Sequence, residues 1–389
     1  MYAASKGLTN RVPDELHLKA MFRATIGKRL DLDNPVTFNE KLQWLKIHDR
    51  NPLYTTLVDK YRVKQWVADR IGTAHVTETY AMWERAEDIE ISAIPERFVL
   101  KTNHDSGGVA ICRDRATFDF DAARKKLAKH LKTNYFWGTR EWPYKDVKPC
   151  VFAEEYLDPE EGKGDLTDYK LMCFGGKVRC EFTCTDRADG DLHVDFFDTD
   201  WNHLPFTRHY PNADVPPEAP ARLKEMVADA EGLSSGIPFV RADFYEVAGQ
   251  YYFGEMTFFP GGGFEEFDPK PWDDKLGSWI ELPESVGGGV LLLSDSAVLL
   301  LRTERSWKTV RKTDLYDYKL FRFSDGRLIT LAMTDRFTGG ALSKTFFDDE
   351  WHALPVSESG HPTRPELKRP ASFEQMKAMA DCLGEGFPF

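Results

Sequence analysis

The sequence predicts an α+β fold on three observations. Apolar residues recur at helical spacing in the early part, short strand-like runs fill the middle, and those runs return at the close intervals that suit antiparallel pairing. At 389 residues the chain is long enough for two or three domains, each with its own core.

Taken in order, Thr37 and Glu40 are spaced as a capping box ahead of Leu42, Trp44 and Leu45, which predicts a helix start. LYTTLVDKYRVKQWVADRIG predicts one further helix, with Leu57, Tyr61 and Ile71 near one face and Gly72 as its stop. RFVLK reads as a β-branched strand ending at Lys101, and TNHDSGGVAIC as a glycine turn into a second strand. DAARKKLAKHLK reads as a charged helix, and VFAEEYL, from Val151, as a buried strand entering the acidic turn DPEEGKGD. YKLMCF, KVRCEFTC and LHVDFFD follow as strands, ARLKEMVADAEGL as a helix, and RADFYEVAGQYYFGEM as a hairpin closed by PGGG.

The C-terminal third repeats part of this. Asp165–Arg187 aligns without gaps to Asp314–Arg336 with ten of twenty-three positions identical, and the match resumes in FFDTDWNHLPF against FFDDEWHALPV and in EGLSSGIPF against DCLGEGFPF. Two copies at so long a period make a partial duplication or a truncated tandem domain, not a solenoid. The second copy stops at Phe389, equivalent to Phe239, and has no counterpart of VRADFYEVAGQYYFGEMTFFPGGG, so only the first copy can perform chemistry that uses those acids.

Bulk properties exclude several classes. Lys and Arg number 51 against 63 Asp and Glu, a net charge of -12, which argues against a nucleic-acid partner. The six cysteines form no CxxC pair and read as buried thiols in a reducing, cytoplasmic setting. No apolar run reaches the length of a membrane span, so no transmembrane segment is expected; VLLLSDSAVLLL, from Val290, is short and broken by polar residues.

Four constellations carry chemistry. Arg241 and Asp243 are two apart, hence on one face of a strand, and Glu255 returns on the partner strand. Two facing carboxylates suit magnesium, and an arginine beside them suits a phosphoryl group; an ordinary ion pair across a hairpin would look the same. Lys101 with Asn103, Ser106, Gly107 and Gly108 offers an ammonium and backbone N–H groups to phosphates, although glycine turns usually just connect strands. Glu154, Glu155, Tyr156 and Leu157 could meet a base edge and a ribose, or could lead into a solvated acidic loop, and Lys64 is either a phosphate ligand or a solvated helix lysine.

In this order, and with NPVTFNEKLQWLKIHDRNPLYTTLVDKY, FVLKTNHDSGGV, NYFWGTREWPYKDVKPCVFAEEYL and FGEMTFFPGGGFE in the chain, the sequence resembles the TupA-like family of the ATP-grasp superfamily over roughly residues 30–283. The resemblance implies an ATP-grasp fold with a helical N-terminal region at 1–75, a first lobe with the glycine loop at 76–150, a second lobe with the catalytic segment at 151–285, and a partial duplicate of that lobe at 286–389. It implies ATP and Mg2+ as cofactors, with Lys64 and Lys101 on phosphates, Ser106, Gly107 and Gly108 in the covering loop, Glu154 to Leu157 at adenine and ribose, Arg241 on the transferring phosphoryl group, and Asp243 and Glu255 on the metal. The superfamily's further asparagine ligand is replaced by Thr257. Lys170 and Arg187 are further candidates at phosphate or the substrate carboxylate, though both recur in the copy as Lys319 and Arg336 and are equally explained by folding.

The expected activity is therefore an ATP-dependent carboxylate-amine ligase, forming an amide through an acylphosphate in bacterial surface polysaccharide synthesis. Its substrate would be a carboxylate-bearing glycan or amino acid, and contact with membrane-associated polysaccharide machinery follows from the same resemblance. Two alternatives stand beside it: a glycosyltransferase using the acidic pair of DTD at Asp198 to Asp200, and a non-catalytic ATP-binding scaffold.

Overall fold

The computed structural model describes residues 9–159, 166–185, 192–283, 298–301, 317–322, 328–334, 343–356, 362–370, 373, 374 and 377. The chain falls into two compact units, Met1–Pro283 and Glu284–Phe389. The mixed helix and sheet content is the α+β class expected.

The first unit opens with helices α1 (Asp14–Thr25) and α2 (Phe38–His48). The capping box at α2 is present in both directions, Thr37 accepting from the Glu40 N–H and Glu40 accepting from the Thr37 N–H. The single helix expected over residues 53–72 is two, α3 (Leu53–Val58) and α4 (Val63–Ile71). The break has a local cause: Asp59 Oδ1 accepts from the N–H groups of Tyr61 (3.0 Å) and Arg62 (3.1 Å), offering the backbone an alternative to the helical ladder. Gly72, at φ 96°, ends α4 as expected.

A first sheet has the order β1 (Thr79–Trp83), β4 (Val151–Glu155), β2 (Phe98–Thr102), β3 (Val109–Cys112), antiparallel throughout. Strand β1 lies in the early part of the chain, where the apolar spacing is helical, and was not expected. Helix α5 (Phe120–Leu131) packs Leu127 into a core with Phe98, Leu100, Val151 and Ala153.

The second sheet runs β10 (Gln250–Thr257), β9 (Phe239–Val247), β5 (Asp168–Phe174), β6 (Lys177–Thr185), β7 (His193–Phe197), again antiparallel. Helix α6 (Leu223–Leu233) buries Met226, Ala230 and Leu233, and the short pair β8 (Thr207–Arg208) and β11 (Phe267–Asp268) stands beside the sheet. Phe38 of α2 packs edge-on against Phe239 (4.9 Å between centroids) and Phe267 (6.0 Å), which locks the N-terminal helices to the strand that carries Arg241 and Asp243. Cys112, Cys150, Cys173 and Cys180 are buried free thiols as expected, whereas Cys184 is half-buried.

The second unit contains a sheet of order β12 (Val298–Leu301), β13 (Asp317–Arg322), β14 (Leu328–Thr334), β15 (Ser343–Phe347). Trp351 stacks on Phe347 at 4.3 Å and 7°, the arrangement that Trp201 makes on Phe197 at 4.2 Å and 7°. Strand β12 pairs with β13 so that Leu300 stands opposite Lys319, where in the first unit Asp243 stands opposite Lys170. Arg187 and Arg336 lie outside the described residues, as do Cys382 and most of the apolar run from Val290. Among the described residues no helix is long and apolar enough to cross a membrane.

Candidate active site

A cavity of about 1280 Å³ opens between the two sheets of the first unit. Of the candidate residues, Lys64, Lys101, Ser106, Gly107, Glu154, Glu155, Tyr156, Leu157, Lys170, Arg241, Asp243 and Glu255 line it, and Gly108 does not.

The floor follows from strand register. Glu255 pairs directly with Asp243 across β10 and β9, and Lys170 pairs with Asp243 across β5 and β9, so three charged side chains share one face. The Arg241 guanidinium forks onto Asp243 (2.6 and 2.7 Å) and reaches Glu255 Oε1 and Thr257 Oγ1, each at 3.0 Å. Lys170 Nζ meets Asp243 at 2.5 Å. Burial alone would lower the pKa of both cations, but the facing carboxylates outweigh it and both are raised. Burial would likewise raise Glu255, yet Lys60, Arg241 and Lys170 hold it at about 2.

The roof belongs to Glu154 at the end of β4. It accepts from Lys64 at 2.7 Å and from Thr77 at 3.1 Å, and its other oxygen meets Lys101. Lys64 is therefore no solvated helix lysine. Its pKa is lowered because burial exceeds what Glu154 restores, while at Lys101 burial is outweighed by Glu154, Glu255 and Asp168. Lys60, which no sequence signal separates from its neighbours in DKYRVK, comes within 3.4 Å of Glu255 and donates to the Asp105 carbonyl at 2.7 Å.

The glycine turn has a fixed base and an exposed tip. Asn103 exchanges hydrogen bonds with Cys150 (3.1 and 2.8 Å), Asp105 meets Thr102 and His130, and Ser106 and Gly107 stand exposed, Gly107 at φ 88°. Gly108 is buried in the base: a Cβ there would stand 1.8 Å from Thr102 Oγ1 and 2.8 Å from Asp105 Oδ1. Gly108→Ala is therefore expected to lower stability by about 1–3 kcal/mol in urea unfolding, and an unchanged midpoint would refute this packing role.

The PGGG loop is held from behind. Gly261, Gly262 and Gly263 all have positive φ, which side chains rarely adopt. The Gly262 carbonyl accepts from Lys46 (2.6 Å) and Gln43 (3.1 Å), and the Gly263 carbonyl from Gln43 (2.7 Å). Lys46 is fully buried, and burial lowers its pKa against the pull of Glu141.

Two carboxylates with a threonine hydroxyl between strands, facing lysines that suit phosphates, fit magnesium, which takes few protein oxygens and completes its shell with phosphate and water. No group of three or more His, Cys, Asp or Glu suited to a metal occurs among the described residues, so an all-protein cage is not what this donor set provides. The Asp198 carboxylate accepts instead from the N–H groups of Asp200 (3.0 Å) and Asn202 (2.9 Å), and Asp348 bonds Glu350 and His352 in the same way. The DTD segment is a turn.

A sequence model of the family described as TupA-like ATP-grasp matches residues 40–281. None of the curated proteins matches the chain. Among solved structures, the chain is similar to D-alanine–D-alanine ligase from Bacillus anthracis complexed with ATP (16% identity, 52% of this chain and 54% of that one, TM-score 0.31). It is similar also to D-alanine–D-alanine ligase from Helicobacter pylori (15%, 62% and 69%, 0.35) and to the ATP-grasp ligase PsnB complexed with a phosphomimetic variant of its minimal precursor, Mg and ADP (12%, 71% and 72%, 0.31). The chain thus spans about half the length of the Bacillus anthracis ligase. The family match covers more than half of the chain and every side chain that converges on the cavity, and the chain belongs to the TupA-like ATP-grasp family.

Proposed function

We propose that the chain is an ATP-dependent carboxylate-amine ligase acting on surface polysaccharide precursors in the cytoplasm, with a carboxylate-bearing glycan or amino acid as substrate. One observation carries the reading: Lys60, Lys64, Lys101, Lys170 and Arg241 converge on a single cavity around Glu154, Asp243 and Glu255. So many cations in one cleft suit a polyphosphate, and the carboxylates hold them in place until it arrives.

In this reading Lys64 and Lys101 hold phosphate oxygens, Glu155, Tyr156 and Leu157 meet adenine and ribose, and Ser106 and Gly107 close over the phosphates to exclude water. A substrate carboxylate oxygen attacks the γ-phosphorus, the bond to the β-phosphate oxygen breaks, and ADP leaves. Arg241 and Lys170 neutralise the charge that spreads over the transferring phosphoryl group. The amine then attacks the acyl carbon, inorganic phosphate departs, and the nitrogen loses a proton. Asp243, Glu255 and Thr257 would hold magnesium, which when bound supplies further positive charge to the phosphates.

Titration calorimetry of ATP with magnesium into the full chain tests this, with Asp243→Asn and Glu255→Gln in parallel. Binding at one nucleotide per chain, weakened at least tenfold by either substitution, is expected. Binding indifferent to both carboxylates would leave the scaffold reading, and no binding would remove the ligase reading.

A further inference from the structure

We infer that Arg208 forms a second anion subsite on the cavity floor, receiving a carboxylate or phosphate of the substrate that is not the group activated by ATP. The inference rests on the ligase reading and adds a property of the substrate: it carries at least two anionic groups.

Arg208 ends β8, pinned in register opposite Phe267 of β11, and its side chain reaches the cavity although the residue is only 8% exposed. The guanidinium lies 4.4 Å from the centroid of Phe182, and that of Arg241 lies 5.7 Å from the same ring. Both guanidiniums therefore border the same ring, and both residues line the same cavity. Their surroundings differ. Arg241 donates through Nε and Nη2 to Asp243, Glu255 and Thr257, whereas Arg208 has one ion pair, Nε to Glu265 at 3.1 Å, and neither its buried Nε nor its buried Nη1 makes a hydrogen bond. A buried guanidinium left short of acceptors is costly unless an anion completes it. Its fork geometry matches a carboxylate or a phosphate.

Glu265 stands in for that anion in part. It belongs to the segment after the PGGG loop, whose Gly261 leaves room for it: a Cβ at Gly261 would stand 2.1 Å from the Glu265 Cδ. An arriving anion would compete with Glu265 for the guanidinium.

The probes are glutarate, its monocarboxylate analogue butyrate, and inorganic phosphate, each titrated into the full chain saturated with magnesium and a non-hydrolysable ATP analogue. Glutarate is expected to bind with at least tenfold preference over butyrate; phosphate in its place would identify the second anion as phosphate and support the subsite equally. Arg208→Gln is expected to reduce the preferred anion's affinity at least tenfold while nucleotide affinity stays within twofold. Glu265→Gln is expected to tighten it several-fold, which keeps the test informative where the Arg208 variant does not fold. Nucleotide binding with no anion binding overturns this inference alone, and so does a loss of nucleotide affinity in Arg208→Gln, which would make Arg208 an ATP contact. Absent nucleotide binding in the parent chain overturns the ligase reading and this one with it.

Discussion

Arg241→Lys is expected to slow ADP formation about 10³-fold, equivalent to about 4 kcal/mol of barrier, while nucleotide affinity changes by no more than about threefold. The argument is geometric. Arginine reaches Asp243, Glu255 and Thr257 through two nitrogens of one planar fork, so its charge is fixed beside the paired carboxylates before any substrate arrives. Lysine keeps the charge but not the fork, and its ammonium settles on one carboxylate at a time. Single-turnover ADP release separates this from a binding defect. A variant within tenfold of the parent would remove Arg241 from phosphoryl transfer.

Glu154→Gln carries the second large effect, on stability. Glu154 is 6% exposed and serves Lys64 and Lys101 together; burial alone would raise its pKa, but the two lysines overcome this and hold it at about 2, below the ordinary 4.5. A depressed carboxylate contributes stability that is fully present above pH 4.5 and lost as the pH falls toward 2. The variant should therefore be less stable at pH 7 by about 3 kcal/mol, since two lysines lose a shared counter-charge. Between pH 4.5 and 2 it should lose less further stability than the parent. Urea unfolding at pH 7 and pH 3 reads both effects, and parallel losses in the two proteins would show that Glu154 is not held ionised by the lysines.

What was legible in the sequence is what local chemistry decides. The capping box at Thr37, the stop at Gly72 and the parity of Arg241 and Asp243 depend on residues within a few positions of one another, and all three are found. The break at Asp59 was equally local, but an aspartate inside an amphipathic pattern reads as a solvated face unless its side chain is known to turn back on the backbone. The site was legible as far as motif residues reach. Lys60 and Arg208 were not: Lys60 depends on the turn that redirects α4, and Arg208, in the segment FTRHY, gains its meaning only from Phe182 and Glu265. The pairing of Lys46 with the PGGG loop joins positions more than two hundred residues apart and leaves no pattern in either segment.

That pairing bears on how the molecule folds as well as on how it works. Three consecutive glycines surrender more backbone freedom on ordering than any other residues would, and here they settle in a conformation with little intrinsic preference to hold it. The compensating bonds come from Gln43 and Lys46 on α2, while Phe38 on the same helix closes over Phe239. Helix α2 and the loop that follows β10 thus depend on one another for their ordered state, and local opening of either is expected to release the other.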